Sequence, residues 1–173
     1  MLFIIGLAGL ASHRRSQLSS NVRHHKAATV VIRPAKNTDA SSIAGLLPDL
    51  GYAAKAENVT RRLNRIVEWP DNSVFVAELE DKLVGLCHVQ GVPLVASDGN
   101  AEVQALVVSG SSQRKGVGTK LLMAAVTWSI QKGYTRVRLR SGLHRQEAHL
   151  FYEAQGFTRS KPSYAFELSA PAQ

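Results

Sequence analysis

The feature that most constrains the fold of this chain is a glycine-containing loop between an apolar strand and an amphipathic helix. Residues 103–108 read Val-Gln-Ala-Leu-Val-Val and predict a strand, and residues 117–128 place apolar side chains at helical spacing. The polar residues 109–116 connect them. The first amides of a helix lack intrahelical partners and lie at the positive end of its dipole. The segment therefore predicts a phosphate site. Gly116 and Gly118 have no side chain, so the anion can approach the backbone closely.

The spacing of the glycines excludes two familiar phosphate loops. A Walker A loop counted from Gly110 needs its second glycine where Lys115 stands. A dinucleotide fingerprint needs a third glycine three residues after Gly118, and that position is Leu121. The loop therefore predicts an anion site of another kind, in which basic side chains such as Lys115 add positive charge.

Two motifs resemble those of the GNAT acetyltransferase superfamily. Gln113, Gly116 and Gly118 match its pyrophosphate-binding pattern Gln/Arg-x-x-Gly-x-Gly/Ala. Residues 147–157, Glu-Ala-His-Leu-Phe-Tyr-Glu-Ala-Gln-Gly-Phe, are similar to its Ala-x-x-Phe-Tyr-x-x-x-Gly-Phe helix. The two motifs occur in the family's order and spacing, and a predicted strand precedes each of them. Together they are much more specific than the loop alone.

The resemblance covers roughly residues 29–169 and implies the fold class. It implies an α/β (α+β) fold with a mixed, mostly antiparallel central sheet, about four flanking helices, and a splay between the fourth and fifth strands. The residue patterns predict strands at 29–33, 74–79, 83–89, 103–108, 135–140, 157 and 164–168, with turns at 80–81 and 97–100. They predict helices through Ile43, Leu46 and Leu47, at 57–68, from 117, and at 147–155.

The resemblance also implies a site for acetyl-CoA as co-substrate, in the splay between the strands at 103–108 and 135–140. Backbone groups of Leu106 and Val108 would pair with the pantetheine arm, and the amides of residues 113–118 would hold the pyrophosphate. The full set of expected cofactor-binding residues is Leu106, Val107, Val108, Gln113, Arg114, Lys115, Gly116, Val117, Gly118 and Thr119.

Two residues are candidates for proton transfer. Tyr152 falls where the family often has a tyrosine near the cofactor sulfur, so its phenol would protonate the departing thiolate; a purely structural tyrosine is the alternative. Many family members have a glutamate base on the strand before the loop, but Gln104 occupies that place and cannot act as a base. Glu102, on the same face by strict alternation, is the substitute candidate, with a solvated strand end as the alternative.

Other reactive side chains do not form a recognisable set. His144 and His149 are five residues apart, so they would not share a helix face, and we expect no metal. The sole cysteine, Cys87, and its neighbour His88 would face opposite sides of a strand. We therefore expect direct attack of an amine on the thioester, without an acetyl-enzyme. Arginines 136, 138 and 140 alternate along one strand, which suits either phosphate contact or a solvated face.

Charge and composition restrict the partners. The net charge is +8, but residues 1–26 hold four basic residues and no acid, leaving 17 basic against 13 acidic residues in the remainder. Aromatic residues are few and do not interleave with the basic ones, so we expect no nucleic-acid binding. The sequence predicts an extension at residues 1–27, either disordered or a mispredicted start, and a transferase domain at residues 28–173.

The apolar run at residues 1–11 bears on location. It is shorter than the about 20 residues that span a bilayer, and it lacks the positive region of a secretory signal. We therefore expect no stable membrane insertion and a cytoplasmic protein, with a short membrane-associating segment as the alternative.

The expected function is transfer of the acetyl group to a primary amine of a small molecule. Residues 141–149, Ser-Gly-Leu-His-Arg-Gln-Glu-Ala-His, look similar to small-molecule amine acetyltransferases, some of which modify aminoglycosides. A polycationic aminoglycoside would need an acidic pocket, to which Glu57, Glu68, Asp71 and Glu102 could contribute, but the domain is net basic. Two alternatives remain: a non-catalytic acyl-CoA-binding regulatory module, and a protein or peptide amine acetyltransferase. The sequence also leaves open whether the chain forms a homodimer.

Overall fold

The structure, a computed structural model, describes residues 29–169, and within this range one mixed sheet carries helices on both faces. Its strands are β1 (Val30–Pro34), β2 (Asn72–Leu79), β3 (Lys82–Leu94), β4 (Ser97–Val108) and β5 (Val137–Leu139). The helices are α1 (Ala40–Leu46), α2 (Ala56–Glu68), α3 (Val117–Gln131) and α4 (Gln146–Ala154). Strands β1 to β4 are antiparallel neighbours in chain order, and β5 lies parallel to β4. The predicted fold class is confirmed.

Each face of the sheet has its own apolar core. The α3 core contains Leu121 and Leu122, both fully buried, against residues such as Cys87 and Val89 of β3. The second core, between the sheet and α1 and α2, contains the residues Ile43, Val59, Leu63, Val76, Leu86 and Val107. Burying one such side chain contributes about 1.5–3 kcal/mol, so these contacts fix where α2 and α3 lie on the sheet.

Strand β4 contains a bulge and then separates from β5. His88 of β3 pairs with Ala105, whereas the next residue, Val89, pairs with Val103, so Gln104 is the extra residue. Pairing with β5 extends only over residues 101–103 of β4. Residues 104–108 therefore have no strand neighbour on that side among the described residues, and the predicted splay is confirmed.

The predicted turn at residues 97–100 is wrong. These residues lie inside β4, and the chain reverses at residues 95–96. Gly99 has a positive φ of +77°, and a Cβ there would lie 2.4 Å from the Val92 carbonyl oxygen. The Asp-Gly-Asn sequence therefore allows a close backbone approach in an irregular hairpin. The other predicted hairpin turn, at residues 80–81, is confirmed, with positive φ at both residues.

The predicted strands at 157 and 164–168 are not present, and the predicted strand at 135–140 is only three residues long. Residues 155–169 have no strand structure, and Tyr164, Phe166 and Leu168 are at least 90% exposed. Their alternation is typical of a strand, but a strand also needs a neighbour to pair with. No described strand pairs with this segment.

Two predictions concern the N-terminal part of the chain and the membrane. The predicted extension at residues 1–27 and its apolar run lie outside the described residues. Among residues 29–169, no helix is both long and apolar enough to cross a bilayer.

Candidate active site

The splay opens into a cleft of about 750 Å³. Its walls come from β4, the loop before α3, helix α4, and the turn that follows α1. Eight of the ten expected cofactor residues line it: Leu106, Val107, Val108, Gln113, Arg114, Gly116, Gly118 and Thr119. The other two, Lys115 and Val117, do not, and Val117 lies buried in the α3 core.

The loop holds its backbone in a conformation suited to an anion. Arg114 and Gly116 have left-handed φ values of 60° and 76°, and Gly116 is the N-cap of α3. The Gln113 side-chain amide donates to the Val108 carbonyl at 3.3 Å, which ties the loop to the end of β4. The amide of Lys120 is the first to bond within the helical turn, donating to the Gly116 carbonyl at 3.1 Å.

Six consecutive amides precede that bond. Those of residues 114–119 donate no hydrogen bond to any residue in the 29–169 range. They lie at the positive end of the 15-residue helix α3, where an anion such as a phosphate is stabilised. The sequence-predicted anion site therefore has the unpaired donors that such a site requires.

The glycines leave room beside these donors. A Cβ at Gly116 would meet nothing within 4 Å, and one at Gly118 would lie 3.4 Å from the Phe151 ring, an ordinary contact. A larger side chain at Gly118 would extend into the cleft that both residues line. Unpaired amides and an open backbone together fit a pyrophosphate group, so the residues present suit coenzyme A.

Helix α4 places Tyr152 in the same cleft. Its ring makes edge contacts with Phe151 and Phe157, at centroid distances of 5.3 and 6.2 Å. Burial raises the pKa of the Tyr152 phenol, nearby Cys87 raises it further, and Arg145 partly opposes these effects. The phenol therefore keeps its proton at neutral pH, and its hydroxyl donates no hydrogen bond to the described residues.

Glu102 is not brought together with Tyr152. It does not line the cleft, and its Oε1 lies 3.1 Å from Nε of Arg140. The bulge at Gln104 interrupts the regular alternation of β4, so the shared face of Glu102 and Gln104 stays a prediction. Glu102 is mostly shielded, whereas Gln104 is exposed.

The sole cysteine is separated from its neighbouring histidine, as the strand alternation predicts. Cys87 is fully buried in the α3 core, and burial raises the pKa of its thiol to about 12. His88 lies on the opposite face, where its Nε2 is 3.0 Å from the Asn72 side-chain oxygen, and burial lowers its pKa.

The two candidate histidines, His144 and His149, have different surroundings. His144 lines the cleft, and the His149 ring contacts the Gly142 carbonyl at 3.0 Å. Within residues 29–169, no three His, Cys, Asp or Glu side chains are grouped closely enough to hold a metal ion.

Sequence reasoning missed part of the cleft wall. Asp49 and Leu50, in the short 3₁₀ turn Leu47–Leu50, face the loop before α3 across the cleft. Arg145 and Gln146 line it from the start of α4. Arg145 and Gln146 belong to residues 141–149, whose resemblance to small-molecule acetyltransferases was the signal for this region, whereas nothing local gave a signal for Asp49 and Leu50.

A strand that splits from its neighbour and leads through a glycine loop into a helix defines a class of acyl-CoA-binding acyltransferases. The family model described as "Acetyltransferase (GNAT) family" matches residues 46–157, and the chain belongs to this family.

Two curated relatives match by sequence. The probable N-acetyltransferase camello of Xenopus laevis is 33% identical over 91 residues, which is 52% of this chain and 41% of the relative. The uncharacterized N-acetyltransferase YjgM of Escherichia coli K12 is 28% identical over 114 residues, 65% of this chain and 66% of the relative. The matches thus span less than two thirds of either relative's length.

The fold also occurs in solved structures. The aminoglycoside acetyltransferase AAC(6')-Iy, in complex with a bisubstrate analogue of CoA and acetylneamine, superposes with a TM-score of 0.73. The match covers 82% of this chain and 99% of the other at 16% identity. At this identity the likeness shows the fold alone.

Proposed function

We propose that this chain transfers the acetyl group of acetyl-CoA to a primary amine of a small molecule by direct attack. The observation that supports this most strongly is the run of unpaired amides at residues 114–119, opening on the same cleft as Tyr152. The amides suit the pyrophosphate of coenzyme A, and the phenol suits a group that must donate a proton. The bound acetyl-CoA supplies the activated thioester.

The chain's own residues have three tasks in this reaction. Backbone groups of Leu106 and Val108, in the part of β4 that β5 does not pair with, hold the pantetheine arm. An amide of Leu106 or Val107 stabilises the oxyanion that forms as the amine attacks the carbonyl carbon. Tyr152 then protonates the sulfur as the carbon–sulfur bond breaks.

Direct attack is supported by the state of Cys87. Thiolates, not thiols, are nucleophiles, and with a pKa of about 12 this thiol stays protonated at neutral pH. A neutral amine needs no covalent relay, because positioning it against the thioester and removing its proton suffice.

Glu102 is the proposed acceptor of the amine proton, acting through water. It lies next to the last paired residue of β4, where the splay begins. Its carboxylate is held in an ion pair with Arg140 and does not line the cleft, so the amine proton would reach it through water. A Glu102→Gln protein with an unchanged kcat would exclude this role.

The proposed function is tested by measuring thiol release from acetyl-CoA with small amines and with peptides bearing a free N-terminus or lysine. We expect release with small amines. Calorimetric binding of acetyl-CoA without release by any acceptor would indicate a regulatory module instead. Release with peptides alone would make the chain a protein or peptide acetyltransferase, and absence of binding would exclude all three functions.

A further inference from the structure

A second cleft, of about 400 Å³, lies between α2 and the sheet. Its lining consists of Arg62, Arg65, Ile66, Trp69, Asn72, His88 and Gln90. Two arginines line it and no carboxylate does, so the cleft carries net positive charge even though His88, whose pKa is lowered by burial, is neutral at neutral pH. Buried Val59 and Leu63 hold α2 against the sheet, which fixes the position of the arginines three residues apart on one helix face.

The two arginines have no partner in the described part of the chain. The ion pairs found there belong to Arg33, Lys132, Arg140 and Arg159. Neither Arg62 nor Arg65 forms an ion pair or a hydrogen bond with residues 29–169. Two guanidinium groups over the apolar side chains of Ile66 and Trp69 form a suitable site for an oxyanion, because each can donate two parallel hydrogen bonds.

The second cleft is connected to the proposed reaction site by two neighbouring strands, β3 and β4. Its residue His88 pairs with Ala105, which precedes Leu106 in the wall of the acetyl-CoA cleft. His88 and Leu106, one lining residue of each cleft, therefore lie on neighbouring strands and one position out of register. Gln90 pairs with Glu102 on the same face, so polar groups lie between the arginines and β4.

The four acidic residues that could bind a polycation, named in the sequence analysis, do not form an acidic pocket in the described part of the chain. Asp71 is bound by Lys132 Nζ at 3.0 Å and by the Tyr134 hydroxyl at 3.0 Å. Glu102 is bound by Arg140, and Glu57 and Glu68 line neither cleft. The acetyl-CoA cleft is lined by two acids, Asp49 and Glu147, as well as by Arg114 and Arg145, so it has no net charge of one sign. The second cleft has arginines and no carboxylate, and its charge favours an anionic group there over a polycation.

We propose that the acceptor amine carries an oxyanion, a carboxylate or a phosphate, which binds between Arg62 and Arg65 while the amine extends past His88 toward β4. This inference rests on the proposed function and specifies its substrate class. The amine and the anion belong to one small molecule that spans the two clefts.

The test uses matched acceptors that differ only in the anion. An amino acid is compared with its amide, phosphoethanolamine with ethanolamine, and a polycationic aminoglycoside is added. We expect kcat/KM to be at least tenfold higher for the anionic member of at least one pair, and the pair that responds distinguishes carboxylate from phosphate. Equal rates within both pairs, or preference for the aminoglycoside, would overturn the inference while leaving the transferase function intact.

Variants locate the anion. Arg62→Gln combined with Arg65→Gln should raise the KM of the preferred anionic acceptor at least tenfold, with the KM of acetyl-CoA and of the neutral acceptor unchanged. Arg61→Gln is the matched control, since Arg61 is an exposed arginine on the same helix that does not line the cleft. An equal effect of the control, or no effect of the double variant, would contradict the site. Absence of thiol release with every amine, despite acetyl-CoA binding, would instead refute the proposed function itself.

Discussion

At the scale of single residues, the proposed chemistry depends on two groups, Tyr152 and Cys87, that are buried to different extents. Tyr152 is half-buried and lines the cleft, so its phenol remains protonated where we propose that the thioester binds. Cys87 is enclosed in the α3 core, so its thiol is both protonated and inaccessible. Their different exposure separates the proposed proton donor from a structural thiol.

Replacing Tyr152 by Phe should lower kcat by at least tenfold, because a general acid typically contributes about 10²–10⁴-fold. The affinity for acetyl-CoA should change little, since the ring contacts with Phe151 and Phe157 are retained. Steady-state thiol release and calorimetry measure the two quantities. Because burial raises the phenol's pKa, the alkaline loss of rate in the wild type should lie above the ordinary tyrosine pKa of about 10. Normal turnover of the variant would remove Tyr152 from the mechanism.

Replacing Cys87 by Ala should preserve most of the activity, because direct attack uses no enzyme nucleophile. We expect a loss of stability of about 1 kcal/mol from the smaller buried side chain, seen as a lower melting temperature. Initial-rate patterns with both substrates varied should intersect. A folded but inactive variant, together with parallel ping-pong lines in the wild type, would require an acetyl-enzyme.

At the scale of secondary-structure elements, β4, the loop and α3 act together. The bulge at Gln104 and the short β5 leave the last residues of β4 free on one side, and the left-handed Gly116 starts α3 with its amides unpaired. The substrate cleft is therefore produced by interrupted pairing in both the strand and the loop.

Replacing Gly118 by Asp should abolish measurable binding of acetyl-CoA, because a carboxylate would stand where the phosphate is expected. Gly118→Ala is the matched control, since its methyl group would lie at an ordinary 3.4 Å from Phe151. Calorimetry should find that the alanine variant retains most of its affinity. Wild-type affinity in the aspartate variant would place the pyrophosphate elsewhere.

The elements also show which features can be predicted from sequence. The β2–β3 hairpin and the loop before α3 were predictable because a few adjacent residues specify each of them. The turn at residues 97–100 was mispredicted because Asp-Gly-Asn favours an irregular strand as well as a reversal. The strand at residues 164–168 was mispredicted because alternation cannot reveal whether a pairing neighbour exists. The arginine-lined cleft was missed because α2 and β3 meet only through tertiary packing.

At the scale of the whole molecule, residues 29–169 contain a five-stranded sheet with an apolar core on each face, and residues of this range line both clefts. The anion-binding loop lies at the open end of the splay, and the arginine-lined cleft lies on the α2 face. An acceptor and acetyl-CoA can thus approach β4 from different directions.

Removal of residues 1–26 should leave the melting temperature and the acetyl-CoA affinity nearly unchanged, because no described contact of the cores or clefts requires them. Differential scanning calorimetry and binding of the truncated and full-length chains provide the comparison. A truncated chain that fails to fold, or that binds acetyl-CoA much more weakly, would show that the predicted domain boundary is wrong.

The most direct test of the central claim is the mass of a small anionic amine after incubation with the protein and acetyl-CoA whose acetyl group is deuterated. We predict that the amine gains one deuterated acetyl group for each thiol released, and that the protein itself gains none. An unmodified amine despite acetyl-CoA binding, or a deuterated acetyl group retained on the protein, would contradict the account.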